Sequence, residues 1–106
     1  MAHYLFRASY TESGVQGLMK EGGSARMAVV EKLFASVGGR VEAAYWAFGD
    51  DDFILIAELP DNQAAARAAL TVSSSGAVRV TTTVLLTAAE VDAATSARAE
   101  YRAPGA

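Results

Sequence analysis

The sequence lacks cysteine entirely and contains only two prolines, one histidine and one tryptophan among its 106 residues. Without cysteine the chain has no disulfide framework, no thiolate nucleophile and no cysteine-ligated zinc or iron–sulfur site. It also lacks an excess of positive charge, because nine lysines and arginines stand against twelve aspartates and glutamates, for a net charge of −3. Nucleic-acid binders concentrate cations to displace phosphate counterions, so we expect no nucleic-acid partner. No apolar run approaches the ~20 residues that span a bilayer, so we expect no membrane partner either.

Length and composition predict one globular domain. A chain of 106 residues has the usual size of a single domain, and 52% hydrophobic with 20% charged residues excludes intrinsic disorder. We expect the domain over residues 1–99 and an extended tail over residues 100–106. Residues 1–7 carry neither the basic nor the apolar region of a secretory signal, which favours a cytoplasmic location.

Four segments show the period of two that is typical of strands. They are residues 3–10, 41–48, 53–59 and 77–86. The acidic turn Gly49-Asp50-Asp51-Asp52 joins the second segment to the third, and its residue types suit a hairpin loop.

Three further segments show helical patterns. The first follows polar caps at 11–14 and is expected to break or kink at Gly22-Gly23. The second is rich in alanine and is capped by Asp61 or Asn62. The third begins with a capping box from Thr87 to Glu90 and runs to about residue 99. The order βαββαβ with a C-terminal helix predicts an α+β, ferredoxin-like fold. Its four-stranded antiparallel sheet has the order 4-1-3-2, with the helices on one face.

Because side chains alternate across a strand, each predicted strand offers an apolar set and a mixed set. The apolar sets belong against the helices, and the mixed sets form a second face: Leu5, Arg7, Trp46, Phe48, Ile54, Ile56, Glu58, Arg79, Thr81 and Thr83. Monomers rarely expose such apolar patches, and a buried arginine needs a partner. This face therefore predicts a homo-oligomer, with an isologous two-fold dimer as the simplest form.

The polar members of that face are candidate ligand-binding residues. A mostly apolar pocket with a few convergent polar groups is the general form of a small-molecule site, and here these groups are Arg7, Trp46, Glu58, Arg79, Thr81 and Thr83. An interface held by an arginine–glutamate pair and threonine hydrogen bonds explains the same residues equally well. Arg26 is a further candidate, because the preceding Gly22-Gly23 exposes backbone N–H groups and its guanidinium completes an anion or carboxylate cradle. The favoured alternative is a kinked helix in which Arg26 pairs with an acidic side chain.

Three other features have a plain structural interpretation that we favour over a catalytic one. His3 suits a general base, but a strand-edge histidine near a frayed terminus explains it more simply. Asp50-Asp51-Asp52 offers carboxylates to Mg²⁺ or Ca²⁺, but consecutive carboxylates point in different directions. Ser73-Ser74-Ser75-Gly76 lacks the lysine of a phosphate loop and suits a helix C-terminus. We therefore predict neither a metal nor a cofactor.

Several segments resemble the GYD-domain family in order and spacing. They are Ala8–Thr11, Gly22–Arg26, Val37–Val41, Tyr45–Gly49, Pro60-Asp61, Ser75–Arg79, Leu85–Thr87, Glu90–Asp92 and Tyr101–Gly105. The resemblance implies a small bacterial or archaeal protein with a ferredoxin-like, dimeric α+β barrel fold, and it implies little about activity. Gly49 and Asp52 match the motif that gives the family its name, whereas Asp51 stands where the family has tyrosine. No role of that tyrosine is carried over to this chain.

Two functions remain open at the level of sequence. We favour a non-catalytic small-molecule-binding or assembly module, since the chain offers no nucleophile–base pair and no phosphate loop. The alternative is a cofactor-independent enzyme of the oxygenase or isomerase type, in which Arg7 or Arg79 stabilises an enolate between two sheets. That alternative rests on analogy with other dimeric α+β barrels.

Overall fold

Four strands and four helices follow one another in the computed structural model, which describes all residues from Met1 to Ala106. They are β1 (Ala2–Tyr10), α1 (Glu12–Glu21), α2 (Gly23–Ser36), β2 (Arg40–Trp46), β3 (Phe53–Leu59), α3 (Asn62–Ser73), β4 (Val78–Leu85) and α4 (Ala88–Thr95). The strands form one antiparallel sheet in the order β2-β3-β1-β4. This is the predicted order read from the opposite edge, and the α+β, ferredoxin-like fold is confirmed.

Capping side chains set the helix boundaries close to where the sequence places them. Asp61 accepts a hydrogen bond from the backbone N–H of Ala64 at 2.8 Å and begins α3. The predicted break falls at Gly22, whose φ of 84° ends α1 and lets α2 start in a new direction. α3 ends at Ser73, and Gly76 with a φ of 75° follows it, as expected for a helix C-terminus.

The core lies between the helices and one face of the two central strands. β1 and β3 contribute alternate residues, α2 contributes Phe34, and α3 contributes small side chains; together these are Tyr4, Phe6, Ala8, Phe34, Phe53, Leu55, Ala57, Leu59, Ala64, Ala65 and Ala68. Phe34 meets Phe6 edge to face, with ring centroids 5.1 Å apart. The Tyr4 hydroxyl, at the edge of this core, donates to Asn62 Oδ1 at 2.7 Å. The predicted apolar sets of β1 and β3 are therefore the buried ones.

A β-bulge in β2 changes which of its side chains face the helices. Val41 lies opposite Ala57, but Ala43 lies opposite Ile56, so one extra residue is inserted between them. After the bulge the alternation reverses, and Trp46 lies opposite Phe53 on the helix side, with ring centroids 4.7 Å apart. The prediction that Trp46 lies on the face without helices is wrong, because an extra residue shifts every later side chain to the other face.

The C-terminal segment projects away from the sheet. Every residue from Leu86 to Ala106 is exposed, and α4 ends at Thr95. The radius of gyration is 17.0 Å, whereas a compact chain of this length has about 13 Å. None of the helices combines the length and the apolar character needed to cross a membrane.

Candidate functional site

The face of the sheet that no helix covers, the open face, carries most of the predicted ligand-binding residues. Arg7 lies opposite Ile54 of β3 and Thr81 of β4, so these three side chains point to the same side. The same registers place five predicted residues together on this face: Arg7, Glu58, Arg79, Thr81 and Thr83. Their role in binding a ligand stays a prediction.

Apolar side chains occupy the middle of the open face. Ile54 lies between Arg7 of β1 and Tyr45 of β2, and Leu5 lies opposite Ile56. Tyr45 has a relative exposure of 72% and takes the position that the sequence assigns to Trp46. Ala43 and Ala44 are both small and apolar, so either of them suits the helix side. The sequence pattern therefore does not show that Tyr45 and Trp46 exchange faces.

Two arginines form one end of the open face, and neither has an acidic partner. Arg7 lies opposite Thr81 and Arg79 lies opposite Ser9, so they occupy diagonal positions about 7–8 Å apart on neighbouring strands. The ion pairs within the chain involve His3, Arg26 and Arg40 instead. Two guanidiniums without a counter-charge on a mostly apolar face favour the binding of an anion.

The hairpin between β2 and β3 lies next to this basic end, and hydrogen bonds attach it to the end of β1. The Asp52 carboxylate accepts a hydrogen bond from the Tyr10 N–H at 2.8 Å, and Ser9 Oγ donates to the Asp50 carbonyl at 2.6 Å. Asp52 therefore fastens the hairpin to the end of β1. This role agrees with the turn interpretation of the three aspartates.

The opposite end of the open face carries a cluster that the sequence analysis missed. His3 Nδ1 lies 2.9 Å from Glu42 Oε1 and 3.9 Å from Glu58 Oε1, and Arg40 Nε lies 2.8 Å from Glu58 Oε2. The ligand atoms of His3, Glu42 and Glu58 lie within 4.8 Å of one another, a spacing and donor set that suits a divalent cation. The Arg40 guanidinium offsets the charge of Glu58, one of the two carboxylates of the cluster.

His3 has more polar contacts than the sequence analysis foresaw. It is the second residue of β1, near the end of the strand as expected, and it lies opposite Glu58 on one side and Leu85 on the other. Its three polar neighbours come from β2 and β3, and only the paired registers and the bulge bring them together.

A cavity of about 330 Å³ lies on the other side of the sheet, between α2, α3 and the strands. Phe6, Phe53 and Leu55 form its floor, and it exists because α2 packs mainly on β2 while α3 packs mainly on β4. α3 presents Ala68, Ala69, Thr71 and Val72 to it, and the two alanines are too small to fill the space beside them.

Arg26 lines this helix-side cavity, so it lies apart from the other candidate residues. Its Nε atom is buried and makes no hydrogen bond, although Glu21 Oε1 lies 3.4 Å away. The acidic neighbour agrees with the kinked-helix interpretation of this segment. The unused donor agrees with the anion-cradle interpretation.

Comparison with known proteins gives a family and no closer relative. The model of the GYD domain matches residues 4–95, from the first strand to the end of the last helix. No curated protein and no solved structure gives a significant match.

Proposed function

The chain belongs to the GYD-domain family, and from this premise we propose that it is a homo-oligomeric small-molecule-binding protein in which the open faces of two copies pair. The observation that carries the proposal is the apolar centre of the open face, formed by Leu5, Tyr45, Ile54 and Ile56 without a covering helix. Removing such a patch from water lowers the free energy by roughly 25 cal/mol per Å² of apolar surface.

The charges of the open face support a second copy as the occupant. Arg7 and Arg79 are the charged side chains at one end of the face, whereas the other end carries the carboxylates of Glu42 and Glu58, of which Arg40 offsets only one. Consider a two-fold axis that lies in the interface and runs perpendicular to the strands. It places the arginine end of one copy over the glutamate end of the other. The face is thus complementary to itself, as an isologous interface requires.

The same pairing encloses the candidate ligand site. Arg7, Arg79, Thr81 and Thr83 then line a space between two sheets, with Glu58 at its far end. The two uncompensated guanidiniums favour a small apolar molecule that carries a carboxylate or another anion. Trp46 is no longer part of this site, and Tyr45 takes its place.

Sedimentation velocity on Ile56→Glu tests the pairing. Ile56 lies opposite the apolar residues Leu5 and Ala43, so a carboxylate there is buried in the interface without a cation opposite it, which opposes association. We expect the wild type to sediment with twice the 11.0 kDa chain mass and Ile56→Glu with the mass of one chain. Met19→Glu is the matched control, because Met19 is an exposed apolar residue of α1, on the helix side. Equal masses for all three proteins would contradict the proposal.

Thermal shift with a panel of small carboxylates tests the ligand site. Stabilisation that grows with free ligand is expected from binding linkage, and it should disappear in Arg79→Ala. Arg67→Ala, in α3 on the opposite side of the sheet, serves as the control. If every stabilising carboxylate of the panel acts on Arg79→Ala as strongly as on the wild type, the open face does not bind the ligand.

A cofactor-independent enzyme of the oxygenase or isomerase type is the second candidate. The pair of uncompensated arginines favours it, because guanidiniums in a water-poor space stabilise an enolate or a similar anion. Turnover of a bound carboxylate without added cofactor, abolished by Arg79→Ala, would assign this function. Binding without turnover would assign the binding function.

A further inference from the structure

The helix-side cavity differs from the open face in that it is almost entirely apolar. Its volume of about 330 Å³ lies at the lower end of the range for small-molecule sites. Arg26, Thr71 and Ser75 are its only polar lining residues besides the hydroxyl of Tyr10. An apolar site with one polar end is the shape expected for an amphiphilic ligand.

Most of the polar groups in the lining are already used within the chain. Thr71 Oγ1 donates to the Arg67 carbonyl at 2.6 Å, and Ser75 Oγ donates to the Val72 carbonyl at 2.7 Å. The Arg26 Nε–H is buried without a hydrogen bond. A buried donor without an acceptor destabilises the folded chain, and a ligand that supplies the acceptor removes this cost.

Tyr10 supplies a second available donor at the same end of the cavity. Its hydroxyl oxygen accepts a hydrogen bond from Trp46 Nε1 at 3.1 Å, and because an indole N–H only donates, the hydroxyl proton stays free. The Trp46 ring packs beside Gly23 at the start of α2. Arg26 follows Gly23 by three residues and therefore lies one turn further along the same side of the helix.

We propose that the helix-side cavity binds a medium-chain aliphatic carboxylate, with the carboxylate at Arg26 and Tyr10 and the chain between α2 and α3. A charge-assisted hydrogen bond from a guanidinium to a carboxylate is among the stronger polar contacts in proteins. With ~30 Å³ for each water-sized group, the cavity holds about ten non-hydrogen atoms. Octanoate has this size.

Calorimetric titration with octanoate tests the proposal, with octan-1-ol as an uncharged ligand of similar length. We expect octanoate to bind at least tenfold more tightly than octan-1-ol, because only the carboxylate gains from the guanidinium. Arg26→Gln should abolish this preference, whereas Arg67→Gln, an exposed arginine of α3 outside the cavity, should preserve it. Equal affinity for the two ligands in the wild type, or an unchanged preference in Arg26→Gln, would overturn the proposal.

Two further variants separate binding from a purely structural role of Arg26. Glu21→Gln removes the carboxylate that lies 3.4 Å from Arg26 Nε, so octanoate should bind several-fold more tightly. Ala69→Leu fills the cavity from α3 and should prevent binding while the chain stays folded. Weaker binding in Glu21→Gln, or full binding in folded Ala69→Leu, would contradict the proposed position of the ligand.

The site is independent of the pairing of open faces, so the two proposals fail separately. Arg26→Gln and Ala69→Leu should keep the wild-type mass in sedimentation, since both positions lie on the helix side. Amide NMR shifts on adding octanoate should concentrate at Val29, Val30 and Val72. Shifts confined to β4 and the open face, or no shifts at millimolar octanoate, would overturn the cavity site without affecting the oligomer.

Discussion

Gly14 of α1 lies directly against the segment before β4. A Cβ atom built on Gly14 would overlap the carbonyl oxygen of Ala77 and press on the Tyr10 ring. The same carbonyl accepts a hydrogen bond from the Thr11 N–H at 2.9 Å, so it cannot move away without losing that bond. The start of α1 is therefore fixed against the sheet by a contact that only glycine permits.

Gly14→Ala and Gly17→Ala should change stability in opposite directions. Both residues lie in α1, but a Cβ on Gly17 would meet no atom within 4 Å. We expect Gly14→Ala to lower the free energy of unfolding by about 1–3 kcal/mol through overpacking. Gly17→Ala should raise it by up to about 1 kcal/mol through helix propensity. Urea denaturation measures both, and similar midpoints for the two variants would contradict the contact at Gly14.

At the scale of elements, the faces of three strands follow from the sequence and those of the fourth do not. β1, β3 and β4 alternate without interruption, so the sequence predicts the face that each of their side chains takes and places Arg7 with Arg79. β2 contains a bulge that depends on its pairing with β3, and this reverses the positions of Tyr45 and Trp46. The helix caps are local hydrogen bonds between residues close in sequence, which is why the sequence identifies Thr87 and narrows the cap of α3 to Asp61 or Asn62, of which Asp61 is the cap.

The clusters and cavities depend on tertiary arrangement, so the sequence gives little sign of them. His3 meets Glu42 across an intervening strand, and no spacing along the chain indicates this contact. The helix-side cavity results from the separation of α2 and α3, which only the packed helices define. The neighbouring glycines identify Arg26 as a candidate anion-binding residue. Nothing in the sequence indicates the apolar cavity beside it.

The capping box of α4 has a consequence for the titration of Glu90. The backbone N–H and the hydroxyl of Thr87 both hydrogen-bond the Glu90 carboxylate, at 3.0 and 3.1 Å, and these bonds lower the pKa of Glu90. Because the pKa is lowered in the folded helix, the stabilisation is present above the ordinary pKa of glutamate. It is lost as the pH falls through the lowered value.

Carboxyl NMR titration of wild type and Thr87→Val tests whether the capping box lowers the pKa of Glu90. We expect the Glu90 midpoint of the wild type to lie below the ordinary value for glutamate and to rise towards it in Thr87→Val, which removes the hydroxyl. Part of the lowering should remain, because the backbone N–H of residue 87 is retained. A midpoint that does not move on substitution would show that the side-chain bond of the box is absent in solution.

At the scale of the whole molecule, a single copy leaves two apolar surfaces uncovered. Its extents of 57 × 33 × 22 Å reflect a C-terminal segment that leaves the sheet and exposes Leu86, Val91 and Tyr101. An isolated helix as short as the eight residues of α4 is marginal in water, even with good caps. Together with the apolar open face, this exposed segment supports an assembly in which another copy covers both surfaces.

Intermolecular nuclear Overhauser effects in a mixture of ¹³C-labelled and unlabelled protein test the central claim most directly. If open faces pair, isotope-filtered spectra should show contacts between subunits from the methyl groups of Leu5, Ile54 and Ile56 at the centre of the face. Val91 of α4 should show such contacts if the C-terminal segment also lies on the partner. A spectrum without contacts from the three central residues would contradict the account, whatever the mass of the particle in solution.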